Sequence, residues 1–125
     1  LKKYKCNVNG TSFFVLENHP FPRKVGYEAV VLYPYIFLSG SVDEAFKNSV
    51  LSHELVHIMQ QKDTPLLLFL LKYIASSLKN LLKYRNVIQA YLHNRFEVEA
   101  YAKAKEFTKF AEEVVEQCKK QSSPG

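Results

Sequence analysis

The sequence predicts an α+β fold: a short, mostly antiparallel sheet followed by three or four helices. Two observations predict it. The first forty residues are β-branched and aromatic runs divided by Asn-Gly, Pro and Gly turn signals. From Ser41 onward the apolar residues recur at helical spacing, with capping signals ahead of several runs. A length of 125 residues, 47% of them hydrophobic, suits one domain with one modest core.

The elements follow in order. "YKCNV" and "TSFFVL" are strands joined through Asn9-Gly10, a hairpin signal because both residue types tolerate positive φ. "ENHPFPRKVGYE" holds two prolines and a glycine and reads as a loop. "AVVLYPYIFLS" is β-rich, but Pro34 cannot donate a ladder hydrogen bond, so this strand is at an edge or is interrupted there. "SVDE" has the Ser-x-x-Glu form of a capping box and opens a helix over 42–61. "KDTP" ends it, and Pro65 suits the first turn of a second helix, "PLLLFLLKYIASSLKNLLKYR". A short segment, "NVIQAYLH", follows. Asn94 then opens "NRFE", with Glu three residues on, and a last helix runs to about residue 120, with fraying expected over 118–125.

The second helix invites a membrane reading. Its uninterrupted apolar run, Leu66 to Leu71, is six residues, far below the roughly 20 that span a bilayer. The expectation is a buried amphipathic helix covering its neighbour. The alternative is a helix lying in a lipid interface with Lys72, Lys79 and Lys83 toward the head groups.

Net charge is +5, with Lys and Arg scattered and small clusters only in "LKKYK" and "CKKQ". With no nucleic-acid motif present, this reads as a solvated basic surface, and no nucleic-acid partner is expected. Cys6 and Cys118 are too few and too far apart for a disulfide framework. Cys118 falls on the apolar stripe of the last helix and reads as a buried thiol, with a single bridge as the alternative. No signal peptide is legible, which slightly favours the cytoplasm. Oligomeric state is not legible.

The chemistry concentrates in "HELVHIMQQ", residues 53–61. His53 and His57 are four apart on a helix, so both imidazoles can reach one point, as two vertices of a tetrahedral zinc site require. Glu54 lies one step round the helix, badly placed as a ligand but well placed as a general base toward a water. Leu55, Val56, Ile58 and Met59 mark the helix as buried. Titratable groups at that depth are costly without partners, and a metal removes the cost.

A third ligand is needed. His19, His93, Glu97 and Glu99 are the candidates. On a helical wheel Glu97 lies roughly 65° from the centre of the stripe Phe96, Ala100, Ala104, Phe107, Ala111, Val114 and Cys118, and Glu99 roughly 95° on the other side. Glu97 is therefore the more inward. It also fits a capping box with Asn94, in which case Glu99 would be the ligand or would support a ligating histidine. Gln60 and Gln61 either orient the site or end the helix. Tyr91 and Tyr101 either donate hydrogen bonds in catalysis or pack, and His93 caps a helix or joins the site.

"HELVH" followed by a helix carrying "FEVEAYA" resembles the zincin metallopeptidases of the gluzincin type. There two ligands come from an H-E-x-x-H helix and a glutamate on a later helix is the third, often in an E-x-x-A setting, which residues 97–100 match. The likeness is closer still to small bacterial and phage proteins with "HE..H..QQ", a Leu- and Tyr-rich helix, then "FE.EAY", and it spans about residues 30–105. It implies a minimal zincin-like domain with Zn²⁺ on His53, His57 and Glu97, hydrolysing a peptide or protein substrate with Glu54 as base. The chain departs from the larger members in the forty positions between His57 and Glu97, which hold a whole extra helix. The alternative is a non-catalytic zinc-containing binding module that docks a partner or a membrane surface through the Leu-rich helix 65–83.

Overall fold

A computed structural model describes residues 2–62 and 64–122. The fold is α+β, a four-stranded mixed sheet with helices packed on it. β1 (Lys2–Val8) and β2 (Thr11–Glu17) form the expected hairpin, and Asn9 and Gly10 both take positive φ, 50° and 77°. β3 (Ala29–Leu32) and β4 (Tyr35–Leu38) form a second hairpin whose turn is Tyr33-Pro34, so the single run around Pro34 is two strands. β4 pairs parallel with β2, which makes the order β1-β2-β4-β3 and leaves β1 and β3 as edges. Two of the three pairings are antiparallel. The loop between the hairpins contains one helical turn, α1 (Phe21–Lys24).

The helix expected over 42–61 is two helices. Ser41 accepts from the Glu44 N–H and caps α2 (Val42–Lys47), as its motif predicts. Ser49 at φ 60° then breaks the chain before α3 (Val50–Lys62). A left-handed residue cannot continue a right-handed helix, so the chain is re-aimed. α3 becomes the hub of the molecule, packed against α2, β3, the chain around 95–107 and the C-terminal helix. Residues 51–58 are all buried. Leu51, Leu55 and Ile58 join Cys6, Val15, Ile36 and Leu38 of the sheet in the core.

The last predicted helix is also divided: α6 (Arg95–Lys103), a 3₁₀ turn (Ala104–Phe107) and α7 (Thr108–Ser122). The break lets α6 face α3 while α7 lies on β1. Ala111, Val114 and Cys118 face the core. The frayed tail expected from 118 is helical through 122, with Cys118 buried and Gln121 bonded to Lys5. Residues 123–125 lie outside the described residues. Cys6 and Cys118 are buried free thiols with sulfurs 4.0 Å apart.

Each sheet edge is covered over part of its length by glutamine amides. Gln117 and Gln121 on α7 each donate to and accept from one β1 residue, Asn7 and Lys5. Gln61 on α3 does the same across β3, donating to the Val31 carbonyl at 3.0 Å and accepting from the Tyr33 N–H at 2.8 Å. An amide presents the same donor and acceptor as a strand residue, so the edges are blunted without another strand.

α4 (Leu66–Tyr84) and α5 (Val87–Leu92) overturn one expectation. Phe69 is the only residue of α4 that is buried, and Leu67, Leu71, Ile74, Leu78 and Leu82 are exposed. The helix packs along α5 and meets α6 through side chains on one face. It therefore does not cover α3 as a core helix would. Among the described residues, no single helix is long and apolar enough to cross a membrane.

Candidate metal centre

α3 and α6 bring three of the expected ligands together. His53 Nε2 and His57 Nε2 lie 3.0 and 2.9 Å from the same oxygen of Glu97, Oε1, and 3.2 Å from each other. All three side chains are buried. A tetrahedral zinc with bonds of about 2.0 Å holds its ligand atoms about 3.3 Å apart, so the observed triangle is close to that spacing. Among the described residues, His53, His57 and Glu97 are the group that could hold a metal ion.

The hydrogen-bond network supports the fit. Gln60 donates through its amide nitrogen to the Phe96 carbonyl and to Glu99 Oε1, so its oxygen faces His57 Nδ1 at 2.8 Å. That oxygen can only accept, which places a proton on Nδ1 and leaves the neutral ring's lone pair on Nε2, inside the triangle. The other oxygen of Glu97, Oε2, accepts from Tyr73 at 2.6 Å. Buried His53 Nδ1 has no partner, so nothing outside the triangle sets its tautomer; its ring lies tilted against Tyr101, with centroids 4.4 Å apart. Two imidazole lone pairs and a carboxylate oxygen converging in a buried site repel one another unless a cation or proton joins them.

The charges respond accordingly. Burial alone would raise the Glu97 carboxyl, but its bonds to His53, His57 and Tyr73 hold it far below the carboxylate range. Burial lowers His57, yet its bond to Glu97 and the nearby Glu54 outweigh this and raise it. Burial raises Glu54, against the opposing charges of His57 and His53. Burial, then the bond to Glu97, raises Tyr73, which stays a donor.

Each sequence candidate now has a place. Glu97 faces the histidines, and Asn94 caps α6 through the Phe96 N–H. The capping signal was real but did not engage the Glu97 carboxylate. Glu99 is not in the triangle; it stands behind Gln60. His19 accepts from the Phe21 N–H and packs on Phe37, while exposed His93 stacks on Tyr84, so neither joins the cluster. Glu54 and Tyr91 line a cavity of about 170 Å³ with His53, His57, Glu97 and β3. Tyr73 was not singled out from sequence. It sits in the Leu-rich helix among eight tyrosines, and only the fold brings it to Glu97. Asn94 also donates to the Tyr73 carbonyl and the Ser77 hydroxyl, which ties α6 to α4.

Fold and site together define an α+β protein with a buried His-His-Glu cluster able to hold a metal ion. Protein-family models, curated proteins and solved structures give no match to the chain.

Removing Gln60 should release the His57 tautomer and the α3–α6 tie. Gln60→Leu is expected to weaken metal binding, read with Zn²⁺ as the probe, about tenfold, in the range for a supporting residue behind a ligand. Competition with a chromophoric chelator measures it. Unchanged affinity would mean that Gln60 merely ends the helix.

Proposed function

We propose that the chain is a zinc-dependent metallopeptidase of zincin type. The observation that carries this reading is the convergence of two Nε2 atoms and one carboxylate oxygen from two helices, beside a buried Glu54 on the cavity wall. His53, His57 and Glu97 would hold Zn²⁺, for which an N₂O donor set of this spacing is well suited. Zinc in such a site supplies Lewis-acid polarisation of a carbonyl and a lowered pKa for water.

The chain's own residues account for the rest. Glu54 takes a proton from the attacking water and returns it to the leaving amine. Its carboxyl is raised by burial, which moves it toward the operating range of a general base. Tyr91 stays protonated because burial and the charge of Glu97 push it up, so on the cavity wall it can donate to a developing oxyanion. Edge strand β3 lines the same cavity, and a substrate could extend the sheet there by β-addition. Gln61 already occupies the Val31 carbonyl and Tyr33 N–H. The N–H and C=O of one strand residue point the same way, so Ala29 and the Val31 N–H remain for that pairing.

The exposed apolar face of α4 favours a second reading, a zinc-containing binding module. Zinc content and turnover of a mixed peptide library separate the two. The peptidase reading expects one zinc per chain, with cleavage lost to a chelator and restored by zinc. Stoichiometric zinc with no cleavage across a broad library would favour the module.

A further inference from the structure

We propose that the outer face of α4 and α5 is a docking surface for an anionic lipid bilayer. On α4, Leu67, Leu71, Ile74, Leu78 and Leu82 fall within an arc of about 80° at 100° per residue. All five are exposed, Leu67 and Leu82 by 71% and 79%. Val87 and Ile88 at the start of α5 are exposed as well. The stripe runs the length of a 19-residue helix, about 28 Å. A contiguous apolar patch of this kind marks an interaction site.

The charge pattern selects the occupant. The scatter of basic residues along the chain conceals an asymmetry. Residues 64–96 contain Lys72, Lys79, Lys83, Arg85 and Arg95 and no Asp or Glu, while the rest of the chain carries twelve basic and twelve acidic residues. The whole net charge of +5 therefore belongs to the segment that exposes the apolar face. Lys72, Lys79 and Lys83 fall together on one flank of the stripe, at about 120–160° on the same wheel from Leu67. Lysines beside an exposed leucine face can reach head groups while the leucines enter the acyl boundary. A second copy docked on this face would bring the like-charged flanks of Lys72, Lys79 and Lys83 together, whereas anionic lipid neutralises them. α4 is too interrupted by charge to span the bilayer, so it would lie in the interface plane. Its opposite side carries Tyr73 and Ser77, which hold Glu97 and Asn94. Docking would thus leave the inward face of α4 on the metal centre.

The test uses the full chain and vesicles of phosphatidylcholine, alone or with one-third phosphatidylglycerol. The parent should co-sediment with the anionic vesicles far more than with the neutral ones, and less as salt rises. Each basic residue near an anionic surface contributes about fivefold, so Lys72→Gln/Lys79→Gln/Lys83→Gln should lose about a hundredfold in partitioning. Leu71→Ser/Leu78→Ser/Leu82→Ser should lose binding at low and high salt alike, with helical circular dichroism unchanged. The chain has no tryptophan, so Leu78→Trp is a clean reporter that keeps the test independent of the triple variants. Its emission should shift to the blue on anionic vesicles and be quenched by brominated acyl chains. Absence of binding to anionic vesicles at low salt overturns the proposal. So does blue-shifted emission from the Leu78→Trp variant in vesicle-free, self-associated protein, which would assign the face to a second copy.

Discussion

Glu54→Gln is expected to fold, bind one zinc per chain and lose at least about a hundredfold in peptide turnover, the lower bound for removing a general base. The amide matches the carboxylate in shape and still meets water, but it cannot accept a proton. Because Glu54 lies outside the ligand triangle, metal content should not change. Stability gives a second readout. Burial raises the Glu54 carboxyl above its ordinary 4.5, so in the metal-free protein the folded state binds more protons there than the unfolded chain. Stability from this group therefore falls as pH rises from that ordinary value toward the raised folded value. The variant lacks that loss. Metal-free Glu54→Gln should melt at or above the parent near neutral pH, and the difference should close in acid. A variant that cleaves as fast as the parent would remove Glu54 from the mechanism, whatever its zinc content.

Glu97→Ala should weaken zinc binding by about a hundredfold or more. A ligand lost outright has to exceed the roughly 10–100-fold typical of its supporting residues. It also leaves His53 and His57 facing each other at 3.2 Å with no carboxylate between them, and Tyr73 without its acceptor. Glu99→Ala should cost far less, because Glu99 meets Gln60 and half-exposed Lys103 rather than the histidines. Zinc titrations of the two variants against the parent decide the matter. Equal affinity of Glu97→Ala and the parent would exclude Glu97 as the third ligand.

Local rules accounted for a large part of the structure. Asn9-Gly10 placed a hairpin, Ser41 a helix start, and Asn94 another. These are interactions between residues two or three apart, and the residue types specify them. Helical periodicity likewise put His53 and His57 on one side of a buried helix, since 100° per residue is a property of the backbone. The interruptions were less visible. Asn48 and Ser49 are turn formers and carried a weak signal for the break before α3. The 3₁₀ turn at 104–107 contains neither Gly nor Pro, and no local signal marks it.

Taken alone, the sequence determined the α+β class, the placing of His53 and His57 on one side of a buried helix, and a short set of candidates to join them. Only the tertiary structure shows which of those candidates meets the histidines. Glu97 and Glu99 differ by two residues on one helix, and the wheel ranked them without excluding either. The packing of α6 on α3, held by Gln60 and Asn94, turns Glu97 inward and leaves Glu99 outside. Tyr73 reaches the site across 24 residues of sequence, which no local rule spans. Burial of α4 was also a tertiary question. An amphipathic helix has an apolar face in any setting, and what meets that face depends on how the remaining elements pack. Here the sheet buries α3 and α7 against itself, and the apolar face of α4 stays outside.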